Sequence, residues 1–159
     1  MSNIKYLKNY VQDFVDSSPV FGTLIYGEVR RVQELVKAKA IKYPLVHLER
    51  PTIKTQTNGY GNYTLWFIGN LNVFMKYDTS GESSATDESI LNSEESIIDV
   101  LLAFQKKINH DAASGLIEID PNPDEDLNTL EPIPINALDK HVGRQIDFKF
   151  SINVSNKLC

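Results

Sequence analysis

Residues 63–78, YTLWFIGNLNVFMKYD, run for sixteen positions without a proline. That is about three times the usual strand of five or six residues. The odd positions are Tyr63, Leu65, Phe67, Gly69, Leu71, Val73, Met75 and Tyr77, apolar at all but the glycine. The even positions mix Thr64, Asn70, Asn72, Lys76 and Asp78 with Trp66, Ile68 and Phe74. A period of two on one face predicts a strand with one side on a core. At about 3.3 Å per residue the run would extend roughly 50 Å, more than a chain of this size can cover with its own core. Either Gly69-Asn70 bends it, as glycine often does inside a strand, or one end of it leaves the globule to meet another subunit.

The remaining chain reads as an α+β domain: an antiparallel twisted sheet with a long hairpin, covered by one amphipathic helix and by N-terminal helices. Ile4, Leu7, Val11 and Phe14 make a helical stripe that Ser17-Ser18-Pro19 stops, because a residue before proline is pushed out of the helical region. Val29, Val32, Leu35 and Val36 make another, with a possible short strand at 23–26 before it. Prolines bracket a strand at 45–49. Asn58-Gly59 and Gly61 predict a turn that pairs 52–57 with the start of the long strand. Asn92 with Glu95 resembles a capping box opening a helix over 94–108, with Ile97, Leu101, Phe104 and Ile108 on its buried stripe. A short strand at 116–119 and an edge strand in PIPI follow. The last strand, 144–154, alternates cleanly, with Ile146, Phe148, Phe150, Ile152 and Val154 inward. One domain over 1–159 is expected: a helical segment over 1–42, a sheet-and-helix core over 43–154, and acidic loops at 79–90 and 120–131.

The net charge of −5 hides an asymmetry. Residues 1–77 carry ten Lys/Arg against five Asp/Glu, and residues 78–159 carry six against sixteen. The acids concentrate in 78–95 and 111–131, which argues against nucleic acid as a bound partner. Solvated loops are the plain account; pairing of a basic surface with an acidic one on the next subunit is the sharper one. No apolar run reaches the roughly 18 residues of a membrane helix. The N-terminus lacks a signal-peptide pattern, so an intracellular site of synthesis is expected. A single cysteine, Cys159, excludes an internal disulfide and a cysteine zinc site.

Catalytic patterns are missing. His47, His110 and His141 show no ligand spacing, and no phosphate-binding glycine loop or nucleophile elbow occurs. The carboxylates sit in polar loops, whereas catalytic pairs need apolar surroundings that separate their pKa values. The chain therefore reads as a non-enzyme with no cofactor. Residues 120–131, DPNPDEDLNTLE, put Asp120, Asn122, Asp124, Asn128 and Glu131 on the ligand positions of an EF-hand loop. Glu125 stands where the sharp turn needs glycine, two prolines stiffen the loop, and a strand rather than a helix precedes it, so no metal is expected. Trp66 and the tyrosines lack the basic groove of a single-strand stacking platform and read as packing residues.

The order of elements resembles the tail-completion or tail-terminator (neck) proteins of tailed bacteriophages, particularly those of Bacteroidetes. Tyr43-Pro44 opens the sheet, the helix crosses it, and Asp139 and Gly143 form the turn into a last strand that ends near Cys159. The family often has an aromatic after that glycine, where this chain has Arg144. The resemblance covers roughly three quarters of the chain and implies assembly: a six- or twelvefold ring in the virion neck, touching portal or tail proteins, with DNA passing unbound and no membrane involved. It implies a subunit interface on Thr52, Lys54, Gln56, Tyr60, Tyr63, Trp66 and Phe74. It also implies an acidic channel lining from Glu82, Asp87, Glu88, Asp120, Asp124, Glu125 and Asp126. Two other functional classes stay open to this sequence: a cytoplasmic acidic binding module, of immunity or regulatory type, acting on a basic protein, and a small calcium-dependent protein using the 120–131 loop.

Overall fold

The computed structural model describes residues 3–38, 40–57, 59–60, 63–77, 87–119, 130–133, 138 and 140–153. These contain three helices and seven strands in one α+β arrangement. Two long strands, β4 (Tyr63–Lys76) and β7 (His141–Asn153), form its axis. They pair antiparallel from Thr64 opposite Asn153 to Lys76 opposite His141. The other edge of β4 carries β3 (Thr52–Thr57) at one end and β2 (Leu45–Leu48) at the other. Likewise β7 carries β5 (Glu118–Ile119) and β6 (Glu131–Pro132). Pro51 marks the break between β2 and β3, where a missing N–H cannot serve a ladder. Of the expected turn into β7, Gly143 falls inside the strand itself, while Asp139 lies outside the described residues, as does Cys159.

The long strand is not interrupted at Gly69. Its ladder with β7 runs unbroken through Gly69 opposite Phe148. A Cβ there would lie 3.1 Å from the Phe148 ring and 3.3 Å from the Pro51 Cβ. The missing side chain leaves room for the Phe148 ring and for Pro51. The length of β4 is instead supported by a second strand nearly as long.

The sheet is antiparallel throughout except at one edge. There β1 (Thr23–Tyr26) pairs parallel with β2, and α2 (Val29–Ala38) makes the crossover between them. This unit places α2 on the face opposite the other helices. The first face takes Phe67, Leu71 and Val73 of β4, with Ile146, Phe148 and Phe150 of β7. It is covered by α1 (Asn3–Asp16) through Leu7, Tyr10, Val11 and Phe14, and by α3 (Asp87–Ala113) through Ile97, Leu101 and Phe104. Phe14 and Phe104 meet at 5.2 Å between ring centroids, so the two helices also pack on each other. The second face buries Ile25, Leu45 and Phe74 against Val32 of α2 and Leu138. The expectation that β4 is buried on one side therefore fails over its second half, where Asn72 and Phe74 are enclosed as well.

Helix α3 begins at Asp87 rather than near Glu94 and ends at Ala113 rather than at Ile108. Asn92 is consequently not a cap but an interior residue, whose carbonyl accepts from the Ser96 hydroxyl at 3.2 Å. Asp87 and Glu88 occupy the first turn, where acids suit the helix dipole. The buried stripe continues in both directions through polar residues, Ser93 and Asp111, which hydrophobic periodicity does not register. The helix closes on a Schellman pattern: Leu116 N–H donates to the Asp111 carbonyl, Gly115 N–H donates to that of Ala112, and Gly115 has φ +78.

Candidate subunit interface

Among the described residues, the second face of the sheet is covered only at the end that carries β1 and β2. Toward β3, strand residues stand without a helix above them, and β3 itself is exposed at all six positions. Thr52, Lys54 and Gln56 share a face with Ile68, Trp66 and Thr64, their register partners on β4. Ile53 shares the opposite face with Phe67 and remains 44% exposed. Beyond the strands, Tyr60 is 90% exposed and Tyr63 57%. The structure thus brings six of the seven expected interface residues onto one hairpin.

Phe74 does not belong with them. It lies in the second core with Leu45 and Val32, and a Cβ on Gly143 would touch its ring at 2.7 Å. It cannot meet another subunit without opening that core. Trp66 is half-buried and tied within the hairpin. Its indole N–H donates to Gln56 Oε1 at 3.0 Å, and the Lys149 ammonium lies 5.9 Å from its ring centroid. The bond to Gln56 adds to the ladder that holds β3 on β4, and Lys149 ties the same indole to β7.

Of the expected acidic lining, Asp87 and Glu88 form the first turn of α3 rather than a stretch of loop. Glu82, Asp120, Asp124, Glu125 and Asp126 lie outside the described residues. Glu131, the last position of the calcium-like pattern, belongs to β6, where its Oε2 accepts from the Gln145 amide at 3.2 Å. Among the described residues no group of three or more His, Asp or Glu side chains gathers as a metal site would require. None of the described helices is long and apolar enough to cross a membrane.

The three histidines have separate structural roles. His47 is fully buried on β2, and its Nε2 lies 2.6 Å from the Gly27 carbonyl oxygen. A carbonyl only accepts, so Nε2 carries the proton, leaving Nδ1 to accept from the Asn72 amide at 3.1 Å. The same amide nitrogen donates to Glu49 Oε1 at 2.9 Å. His141 Nε2 is 2.6 Å from the Tyr43 hydroxyl, which ties the start of β7 to the segment before β2. His110 is exposed beside Asp111.

Burial lowers the His47 pKa from its ordinary 6.5, against the opposing effects of the Gly27 carbonyl and the Glu49 charge. Below that value the unfolded chain binds a proton that the folded chain refuses, so stability should fall as pH drops from 7 to 5. Denaturant melts across this range should show the slope in the native protein and lose it in His47→Gln. An equal slope in both would place the titration elsewhere.

Sequence comparison gives no further guide: no protein-family model matches the chain, and no curated protein matches its sequence. One more edge bears on assembly. The strand expected over 116–119 narrows to the two residues of β5, Glu118 and Ile119, both exposed, which lie across the sheet from β3. Two residues are too few for a periodic signal, so nothing in the sequence marks them as an edge.

Proposed function

We propose that this chain is a ring-forming structural protein of a phage neck or tail, joining head or portal to tail around the DNA channel. The observation that carries the reading is β3. The fold orders a six-residue strand and the start of β4 at an end of the sheet where every β3 side chain is exposed. A protein acting alone gains little from such a strand, and natural sheets usually cover or blunt their edges. An ordered, exposed hairpin with tyrosines at 60 and 63 suits contact with a neighbouring copy. Tyrosine is enriched at interfaces because it supplies large area with few rotors. The charge division, basic before residue 78 and acidic after it, suits head-to-tail contacts between unlike surfaces. Acidic groups lining a channel would repel DNA phosphates and let the genome slide.

Deleting residues 56–62 tests the reading. The shortened protein should keep its thermal midpoint within a few degrees, because the removed residues add little to either core. It should fail to co-purify with particles of the phage that encodes it. Incorporation of the shortened protein into particles whose filled heads remain joined to tails would overturn the proposal.

A further inference from the structure

Among the described residues, β3 and β5 are the outermost strands at the same end of the sheet, and their residues are matched across it. The rows are fixed by register. Ile53 faces Phe67, Phe67 faces Phe150, and Phe150 faces Ile119. In the adjacent row Lys54 faces Trp66, Trp66 faces Ser151, and Ser151 faces Glu118. Residues directly opposite in an antiparallel sheet share a face. One outer edge therefore presents an isoleucine and a lysine, and the other presents an isoleucine and a glutamate, in the same two rows and on the same two faces. Ile53 is 44% exposed and Ile119 41%.

Strand direction is matched as well. Strands β3 and β7 run one way and β4 and β5 the other, since each adjacent pair is antiparallel. A second copy set beside the first without turning over brings its β3 antiparallel to the first copy's β5. In a single register Ile53 then sits opposite Ile119, and Lys54 sits opposite Glu118.

We infer that copies of this chain join head to tail by adding the β3 edge of one to the β5 edge of the next, making one sheet across the contact. The inference rests on the ring reading for closure of the assembly, but on register for the contact itself. The occupant is a second copy because both the charge and the apolar residue that complement each edge lie on the opposite edge of the same chain. A two-fold pairing of β3 with β3 leaves Lys54 without an acidic partner and Glu118 and Ile119 uncovered. Heterologous addition covers all four, and it gives a ring or a filament rather than a dimer. Opposite-charge and apolar cross-strand pairs each add modest stability, and the shared backbone ladder supplies the rest of the contact.

Disulfide trapping reads the contact directly. In a Cys159→Ser background, Lys54→Cys and Glu118→Cys would face each other across the joined edges. Opposed Cα atoms about 4.5–5.5 Å apart are within disulfide reach. Mild oxidation of the double variant at high protein concentration should give a ladder of trimers and larger species on a denaturing gel. Each single variant should stay monomeric. A dimer from Lys54→Cys alone would overturn the inference in favour of two-fold pairing, and monomers from all three would overturn it outright. Charge reversal gives an independent check by sedimentation. Lys54→Glu and Glu118→Lys should each reduce self-association, and the two together should restore it; no rescue counts against the pairing. A ladder from a protein that never enters phage particles would uphold the edge contact and remove the neck reading. Entry into particles without a ladder would do the reverse.

Discussion

Phe104→Ala should cost about 3–5 kcal/mol in denaturant unfolding, as large-to-small changes of buried aromatics do. The ring is fully buried and touches both layers it joins. It meets Phe14 of α1 at 5.2 Å and Phe148 of β7 at 6.3 Å, the latter edge-on. Phe148 continues the cluster to Phe150 at 5.3 Å, and Phe150 to Tyr10 at 5.4 Å. Removing Phe104 leaves a cavity between two helices and a sheet. Leu102, on the exposed side of the same helix, supplies the control. Its change to alanine should stay within about 0.5 kcal/mol. Equal losses at the two positions would mean that α3 does not pack by the face assigned to it.

That face was legible in the sequence because leucine, isoleucine and phenylalanine mark it at helical spacing. The inward residues of β7 and the odd positions of β4 were legible for the same reason, at a period of two. What stayed hidden depended on contacts distant in sequence. Asn72 and Phe74 look outward by alternation. Phe74 is buried because Val32 of α2, held on that face by the parallel β1–β2 pair, packs in one cluster with it, and Asn72 is enclosed where its amide bonds His47 and Glu49. Four residues, TLIY, are too few for alternation to reveal that pair. The ends of α3 are hidden from hydrophobic periodicity because its stripe passes through Ser93 and Asp111, and Asp111 finds its partner 101 positions away at Tyr10. The candidate interface divides in the same way. Exposure of the hairpin could be expected from its polar, turn-rich composition, whereas the alignment of Lys54 with Glu118 exists only through two intervening strands.

Asp111→Ala should be the second large loss, about 3 kcal/mol at neutral pH, because it strands groups that this carboxylate holds. Asp111 is buried, and its Oδ2 accepts from the Tyr10 hydroxyl at 2.7 Å and from the Lys107 ammonium at 2.9 Å. The ammonium also lies 4.5 Å from the Tyr10 ring centroid. Burial alone would raise the Asp111 pKa, but the hydrogen bonds from Tyr10, Lys107 and His110 outweigh it and lower the value. Burial, together with the adjoining carboxylate, holds the Tyr10 pKa far above its ordinary value, so its hydroxyl remains a donor. The folded chain thus binds the Asp111 proton less readily than the unfolded chain. The stabilisation is present above the ordinary value of 3.8 and is lost as pH falls through the lowered folded value. The gap between native protein and Asp111→Asn should therefore be wide at pH 7 and narrow in acid. A gap constant with pH would show that the charge is not what the site uses. The same residue bears on assembly: its backbone carbonyl accepts the Leu116 and Ile117 N–H groups at 2.9 and 3.4 Å, directly before β5. Tyr10→Phe removes the link between α1 and this corner but leaves that backbone anchor in place, so it should lower stability without weakening the disulfide ladder between copies. Asp111→Ala keeps the same backbone carbonyl, so it too should lower stability without weakening the ladder, and by more than Tyr10→Phe.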